Sequence, residues 1–283
     1  MAKRIDGNRL GFQAELAEAR YKGLTVGFVP TMGFLHEGHC ALIRESARHN
    51  DRTVVSIFVN PTQFGPNEDL ATYPRGPQGD YQKSIAAGAD WVWYPEETDL
   101  YPVGWQTRVQ PGELAHRLCG LSRPAFFGGI CSVVLRLFNI VQPHRSYFGE
   151  KDFQQLTIIK KMVADLFLPV EVVGCPTVRE PDGLAMSSRN ARLKPAERHI
   201  ALGLWRCLSA AREAFAAGQQ DAGSLVHDLR HLWPQEIELD YLEFRDPVHL
   251  DLVSELEADT RLFLAGWLNG VRLIDNGALV DPR

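Results

Sequence analysis

Residues 24–49 read LTVGFVPTMGFLHEGHCALIRESARH, and this stretch decides the fold. Residues 24–29 form a short apolar, β-rich run, and residues 37–49 read as a helix. Between them Gly33 and Gly38 let the backbone turn sharply and come close to a ligand. Strand, glycine-bearing turn and helix make the repeating unit of an α/β protein, and the chain beyond repeats it. Residues 53–59 (TVVSIFV) are apolar almost throughout, as in a strand buried on both faces. A polar, Pro-rich loop follows (NPTQFGPNEDLATYPRGP, 60–77). Next come a helix at 78–87, a strand at 91–94, a helix at 132–140 and a short strand at 146–148. A helix at 151–166, with apolar Leu156, Ile159, Val163 and Leu166, leads to a strand at 170–173. This alternation predicts an α/β fold, a parallel sheet with helices on both faces.

The character changes after the loop REPDGLAMSSRN (179–190). Residues 195–217 and 225–233 read as helices, then 237–244, 261–268 and 271–274 as strands joined without helices. That order predicts an antiparallel sheet in a smaller α+β domain. The expected organisation is therefore a larger domain over 1–176 and a smaller one over 177–283.

The chain has 283 residues, 45% of them hydrophobic and 23% charged, the make-up of an ordinary globular protein with a sizeable core. Thirty Lys and Arg against 35 Asp and Glu give a net charge of −5, which argues against nucleic-acid binding. The five cysteines, Cys40, Cys119, Cys131, Cys175 and Cys207, are odd in number and scattered, with no Cys-x-x-Cys pair. A disulfide framework or zinc ribbon is not expected, and a reducing cytoplasm is. The stretch MAKRIDGNRL carries basic residues with no apolar run behind them, so no secretory leader is expected. The most apolar stretch, GICSVVLRLFNIV, is broken by Arg136, so no membrane segment is expected either.

In open parallel sheets ligands sit beyond the carboxyl ends of the strands. Four blocks with chemical content lie just there. In PTMGFLHEGH (30–39), His36 and His39 are three apart and share one face of a helical first turn. A helix N-terminus already favours phosphate, and two imidazoles add donors to its oxygens. A structural histidine pair or a surface metal site is the plainer reading of the same residues. In SIFVNPTQF (56–64), Asn60 and Gln63 place neutral amides at a strand end, where they can read a hydroxyl or carboxylate, or simply form a turn. In FGEKDFQQL (148–156), Gly149 permits close approach and Lys151 offers a compact cation. Asp152 can cap the helix or bind a ribose hydroxyl. Gln154 and Gln155 follow in the next turn. In DGLAMSSRN (182–190), two hydroxyls and Arg189 stand behind a flexible Asp-Gly turn, placed to close over a triphosphate or to serve only as a hinge.

Other features point elsewhere. His227 and His231 fit an exposed helical face, Trp91 and Trp93 fit core packing, and Asp80 fits a helix start better than a magnesium-bound phosphate. No G-x-x-x-x-G-K-[ST] or G-x-G-x-x-G occurs, which disfavours P-loop and nicotinamide readings.

Taken in order, PTMGFLHEGH, IFVNPTQF, FGEKDFQQL, DGLAMSSRN and the later RLIDN (272–276) resemble the pantoate–β-alanine ligase family of the HxGH nucleotidyltransferase superfamily. The fourth block also resembles the superfamily's Lys-Met-Ser-Lys-Ser loop. The resemblance implies a Rossmann-like, doubly wound N-terminal domain, a small C-terminal lid domain and a cytoplasmic homodimer. It implies an ATP-dependent ligase acting on Mg2+-ATP, pantoate and β-alanine through a pantoyl adenylate, with no residue assigned as a protein metal ligand. By the same resemblance Met32, Gly33, Phe34, Leu35, His36, Glu37, Gly38 and His39 line the nucleotide site. His39 is its proton donor and His36 assists on the phosphates. Gly149, Glu150, Lys151 and Asp152 bind ATP, Lys151 on the phosphates and Asp152 on the ribose. Val178 meets the adenine, and Met186, Ser187, Ser188 and Arg189 close over the triphosphate. Gln63 and Gln155 hold pantoate, and Asn60 touches the amine.

One position departs from the pattern. Where the family commonly reads Arg-Pro-x-His-Phe-x-Gly, this chain has Arg123, Pro124, Ala125, Phe126, Phe127, Gly128 and Gly129. Phe126 removes a polar group, and reduced or retuned activity is expected. The rival readings are an adenylyltransferase that stops before ligation and a nucleotide-binding pseudoenzyme.

Overall fold

The computed structural model describes residues 2–66 and 68–281. Asn67 of the expected Pro-rich loop and the outermost residues of both expected domains lie outside them. The chain divides into two compact units. One comprises Met1–Glu150 with Gln154–Pro176, the other Lys151–Phe153 with Thr177–Arg283.

The first unit is built on six strands: β1 (Lys3–Asp6), β2 (Val26–Thr31), β3 (Arg52–Ile57), β4 (Trp91–Tyr94), β5 (Arg145–Gly149) and β6 (Glu171–Cys175). Their order across the sheet is β1-β4-β3-β2-β5-β6, and every pairing is parallel. The chain runs outward from β2 through β3 to β4, then returns to β5 on the other side of β2. The reversal between β2 and β5 opens the crevice at which such sheets take ligands. The six-stranded parallel sheet and its helices are the Rossmann-like arrangement.

The helices of this unit are α1 (Arg9–Tyr21), α2 (Glu37–His49), α3 (Pro77–Ala86), the single turns α4 (Glu97–Leu100) and α5 (Cys119–Ser122), α6 (Phe126–Val141) and α7 (Phe153–Asp165). Val29, Leu35, Ile43, Val55, Val92 and Tyr147 form a buried cluster between the sheet and α2. Phe28 meets Phe138 of α6 edge-on, at 6.4 Å between ring centres, on the other side. Both faces of β2 and β3 are thus apolar, which is why their sequences run without alternation.

The first strand and helix have no counterpart among the predicted elements. β1 reads KRID, and only Ile5 is buried, so its polar edge pattern hides it. α1 buries Phe12, Leu16 and Ala19 at helical spacing against an otherwise polar surface. Phe12 packs on the buried Trp93, whose indole N–H donates to the Gly7 carbonyl at 2.8 Å. The helix expected at 132–140 begins six residues earlier, because Gly128 and Gly129 lie within it rather than breaking it. At the start of α7, residues 150–152 form a 3-10 turn rather than α-helix.

The second unit carries β7 (Glu238–Arg245), β8 (Arg261–Leu268) and β9 (Val271–Ala278), antiparallel in the order β7-β8-β9, with α8 (Pro195–Ala216) and α9 (Ala222–Leu232). Ala201, Leu204, Leu208 and Leu229 of the helices meet Leu242, Leu262, Leu264 and Leu273 of the strands in its core. β9 extends four residues past the expected end at 274. Its Asp275 and Asn276 are buried polar residues with partners, and they mask the strand pattern.

All five cysteines are free and buried. Burial pushes the thiols of Cys131 and Cys175 up to about 12 and that of Cys207 to about 11, which makes them inert packing groups. Among the described residues no helix is long and apolar enough to cross a membrane.

Candidate active site

The turn leaving β2 enters α2 through a reciprocal cap. His36 is the N-cap residue, with extended backbone at φ −126° and ψ 177°. The Gly38 N–H donates to His36 Nδ1 at 3.1 Å, and the His36 N–H donates to His39 Nδ1 at 3.3 Å. Each ring uses Nδ1 as an acceptor, so each carries its proton on Nε2. The rings lie 4.1 Å apart, centre to centre. The pair therefore presents two neutral imidazoles of the same tautomer at the positive end of a 13-residue helix, a donor set suited to phosphate oxygens. Of the two readings of the pair left open above, the structural one is met through Nδ1.

Ahead of the cap, Gly33 and Phe34 adopt positive φ, 85° and 51°. Asp80, in the first turn of α3, receives the N–H groups of Phe34 at 2.9 Å and Leu35 at 2.7 Å. The expected helix-start carboxylate thus has both oxygens engaged by backbone amides. Its partners are 45 and 46 residues away in sequence, and no local signal reveals them.

At the end of β3, residues Pro61–Gln63 form a 3-10 turn capped by Asn60. Asn60 is buried with its amide fully engaged. Nδ2 donates to Gln63 Oε1 at 3.0 Å and to the Gly129 carbonyl at 3.2 Å. Oδ1 accepts from Tyr101 Oη at 2.7 Å and Thr62 Oγ1 at 3.0 Å. Burial keeps the Tyr101 phenol above its ordinary range, so it stays a neutral donor. Gln63 Nε2 reaches Met32 Sδ at 3.1 Å. The amide block and the histidine block are thereby brought together within the first unit.

Arg123 ties the same turn from outside. Its guanidinium pairs with Glu68 and donates to the Gln63 carbonyl at 3.4 Å. The Phe126 ring lies 3.5 Å from the guanidinium carbon, in cation–π contact. The departure at 126 therefore supports Arg123 in place of a polar contact. Truncation in Phe126→Leu is expected to remove ~0.5–1 kcal/mol of stability, the usual size of such a contact. A melting curve should show a downward shift of roughly 1–4 °C; an unshifted curve would deny the ring this role.

Gln154 and Gln155 separate clearly. Gln154 is buried and structural: its amide accepts from the Cys119 N–H at 3.0 Å and donates to the carbonyls of Leu114 and Arg117. Gln155 is half-buried on α7.

In the second unit, Lys151 and Asp152 lie 3.8 Å apart on the 3-10 turn. The Lys151 carbonyl accepts from Asn276 Nδ2 at 2.8 Å, and Asn276 Oδ1 accepts from Arg261 at 2.6 Å. Arg261 also stacks on Phe153, at 3.7 Å from the ring centre. Val178 and Met186 face each other across a hairpin, with the Met186 N–H on the Val178 carbonyl at 3.0 Å. Ser187 Oγ caps the following turn through the Arg189 N–H, and Ser188 and Arg189 are half-buried beside it.

The Asp-Gly turn that the sequence suggested to be flexible is braced. Arg179 binds the Gly183 carbonyl and forks onto the buried Asp275 at 2.7 and 2.9 Å, while Arg198 holds Asp182 and Glu180. Gly183 has φ 96°, and a Cβ there would lie 2.2 Å from the Trp205 ring. Among the described residues no cluster of three or more His, Cys, Asp or Glu is set to hold a metal ion.

A parallel sheet with its strand-order reversal beside a glycine turn, an imidazole pair and a helix N-terminus defines a nucleotide-dependent α/β enzyme. The family described as pantoate–β-alanine ligase matches residues 8–278. Among curated relatives, the pantothenate synthetase of Geobacter sulfurreducens is 49% identical over 282 residues, 99% of this chain and 100% of the relative. Among solved structures, the pantothenate synthetase of Thermus thermophilus matches with a TM-score of 0.94 at 42% identity, covering 99% of this chain and 100% of that one. The pantoate–β-alanine ligase of Francisella tularensis, complexed with beta-gamma ATP and beta-alanine, matches at 0.80 and 37% identity over 98% of each chain. The chain belongs to the pantoate–β-alanine ligase family, whose members are ATP-dependent ligases.

Proposed function

We propose that this chain condenses pantoate with β-alanine at the residues described above, through a pantoyl adenylate. A pantoate carboxylate oxygen attacks the α-phosphorus of ATP, and the bond to the departing pyrophosphate breaks. The β-alanine amine then attacks the acyl carbon, loses a proton, and AMP leaves. A carboxylate is a poor acyl donor until its oxygen becomes part of a phosphate leaving group. The protein's task is therefore positioning and stabilisation of growing negative charge.

The observation that carries this reading is the pair of backbone N–H groups donated to the imidazole Nδ1 atoms. With both Nδ1 atoms accepting backbone N–H groups, His36 and His39 offer Nε2–H to phosphate oxygens, with His39 as the proton donor. Lys151 adds a cation, Asp152 takes the ribose, and the Ser187–Ser188–Arg189 turn closes over the triphosphate. Gln63 and Gln155 hold pantoate. Asn60 acts through Gln63, since its own amide is saturated by protein groups. The first unit serves as the nucleotide- and pantoate-binding domain and the second as the lid. Mg2+ enters with ATP: Asp80 has both oxygens on backbone amides, and the donor set suits an ion held mainly by phosphates. A cytoplasmic homodimer is part of the same proposal.

The test is coupled detection of AMP and pyrophosphate with each substrate omitted in turn. Pyrophosphate is expected to require pantoate, and AMP release to require β-alanine as well. Pyrophosphate without any β-alanine-dependent AMP would mark a transferase, and ATP binding with neither product a pseudoenzyme.

A further inference from the structure

Three successive peptide units ahead of the histidine pair are held by one helix. Asp80 Oδ2 takes the N–H of the 33–34 unit, and Oδ1 takes that of the 34–35 unit. Lys83, one turn along α3, donates from Nζ to the Leu35 carbonyl at 2.6 Å, which fixes the 35–36 unit. The other end of that last unit is the His36 N–H, the group that occupies His39 Nδ1. A rotation of the 35–36 plane would swing this N–H off the ring and release the constraint that puts the His39 proton on Nε2. The segment carries backbone strain: Phe34 sits at φ 51°, a conformation L side chains seldom adopt. Asp80 is buried at 3% exposure, and its charge strengthens both amide contacts.

We propose that Asp80 and Lys83 are positioning residues for the reaction, acting through the 33–36 backbone to set the tautomer and orientation of His39. The proposal rests on the reading of His39 as a phosphate-facing donor. Nothing in it requires either residue to touch substrate.

The test compares Lys83→Met, Asp80→Asn and His39→Ala in the full chain. It measures pantoate-dependent pyrophosphate release, melting temperature and the side-chain 15N signals of His39. Lys83 is exposed, so Lys83→Met should melt with the parent yet lose kcat by roughly 10-fold, at little changed KM for pantoate. Its His39 signals should move from a single Nε2–H tautomer towards a mixture. Asp80→Asn, which sets an amide NH2 against a backbone N–H, should lose on the order of 10²-fold. Should Asp80→Asn fail to fold, Lys83→Met decides alone. A Lys83→Met enzyme with parental kcat, or with reduced kcat but parental His39 signals, overturns the proposal provided His39→Ala is inactive. Parental activity in His39→Ala would instead remove the His39 reading and the proposal with it.

Discussion

Lys151→Ala is expected to slow pyrophosphate release by ~10²–10³-fold, the loss seen when one preorganised donor to developing charge is removed. The lysine is held firmly at its backbone. Its backbone sits in a 3-10 turn fastened by Asn276, and the Asn276 amide is fixed in turn by Arg261. The carboxylate paired with the ammonium is Asp152 at 3.8 Å, too long for a direct hydrogen bond. Losing that pair should alter stability by less than ~1 kcal/mol, because it is loose and partly solvated. The expected signature is thus a large loss of rate at a parental melting temperature, read from single-turnover pyrophosphate release beside calorimetry. A variant within about threefold of the parent, under ~1 kcal/mol of barrier, would take Lys151 out of the mechanism.

Gly129→Ala tests the pantoate role proposed for Gln63 and has a sign that separates two arguments. Helix propensity alone says alanine should stabilise α6 by up to ~1 kcal/mol. The structure says the reverse. A Cβ at 129 would lie 2.4 Å from the Thr62 carbonyl oxygen and 2.8 Å from Gln63 Cα, both backbone atoms that cannot rotate away. The Gly129 carbonyl also accepts from Asn60. The turn carrying Gln63 must therefore be pushed off α6. Overpacking of this kind costs ~1–3 kcal/mol, a fall in melting temperature of roughly 2–10 °C. Displacement of Gln63 should raise the KM for pantoate while leaving that for ATP closer to the parent. A stabilised variant with unchanged KM values would show that α6 and the turn are not in the contact described.

Much of this was legible because strand ends announce themselves. The run into Pro30, the glycines behind it and the spacing of His36 and His39 are local patterns, and the structure keeps them local. The same holds for the α2 and β4 boundaries and for the antiparallel strands of the second unit. What stayed hidden depends on partners far apart in sequence. Asn60 reads as a candidate ligand amide, yet its bonds run to Gly129 and Tyr101, and Gln154, to which the sequence gives no role, is bonded to Cys119 and Leu114. Phe126 reads as the loss of a histidine, and its cation–π role appears only with Arg123 above it. The helix predicted from 132 leaves out Gly128 and Gly129, whereas Gly129 is the notch that admits the Gln63 turn. Buried polar residues at 275 and 276 ended a predicted strand early, although their side chains do the fastening.

The fastening of Lys151 by Asn276 sets an order of completion along the growing polypeptide. The two residues are separated by 125 positions, and β9, which bears Asn276, is synthesised after the other described strands. A chain released early, short of that strand, retains every residue of the parallel sheet and the imidazole pair, yet has no anchor for the lysine carbonyl. Translation through β9 is then the step that supplies this fastening, and prematurely terminated copies hold the parallel sheet with the Lys151 turn unfastened.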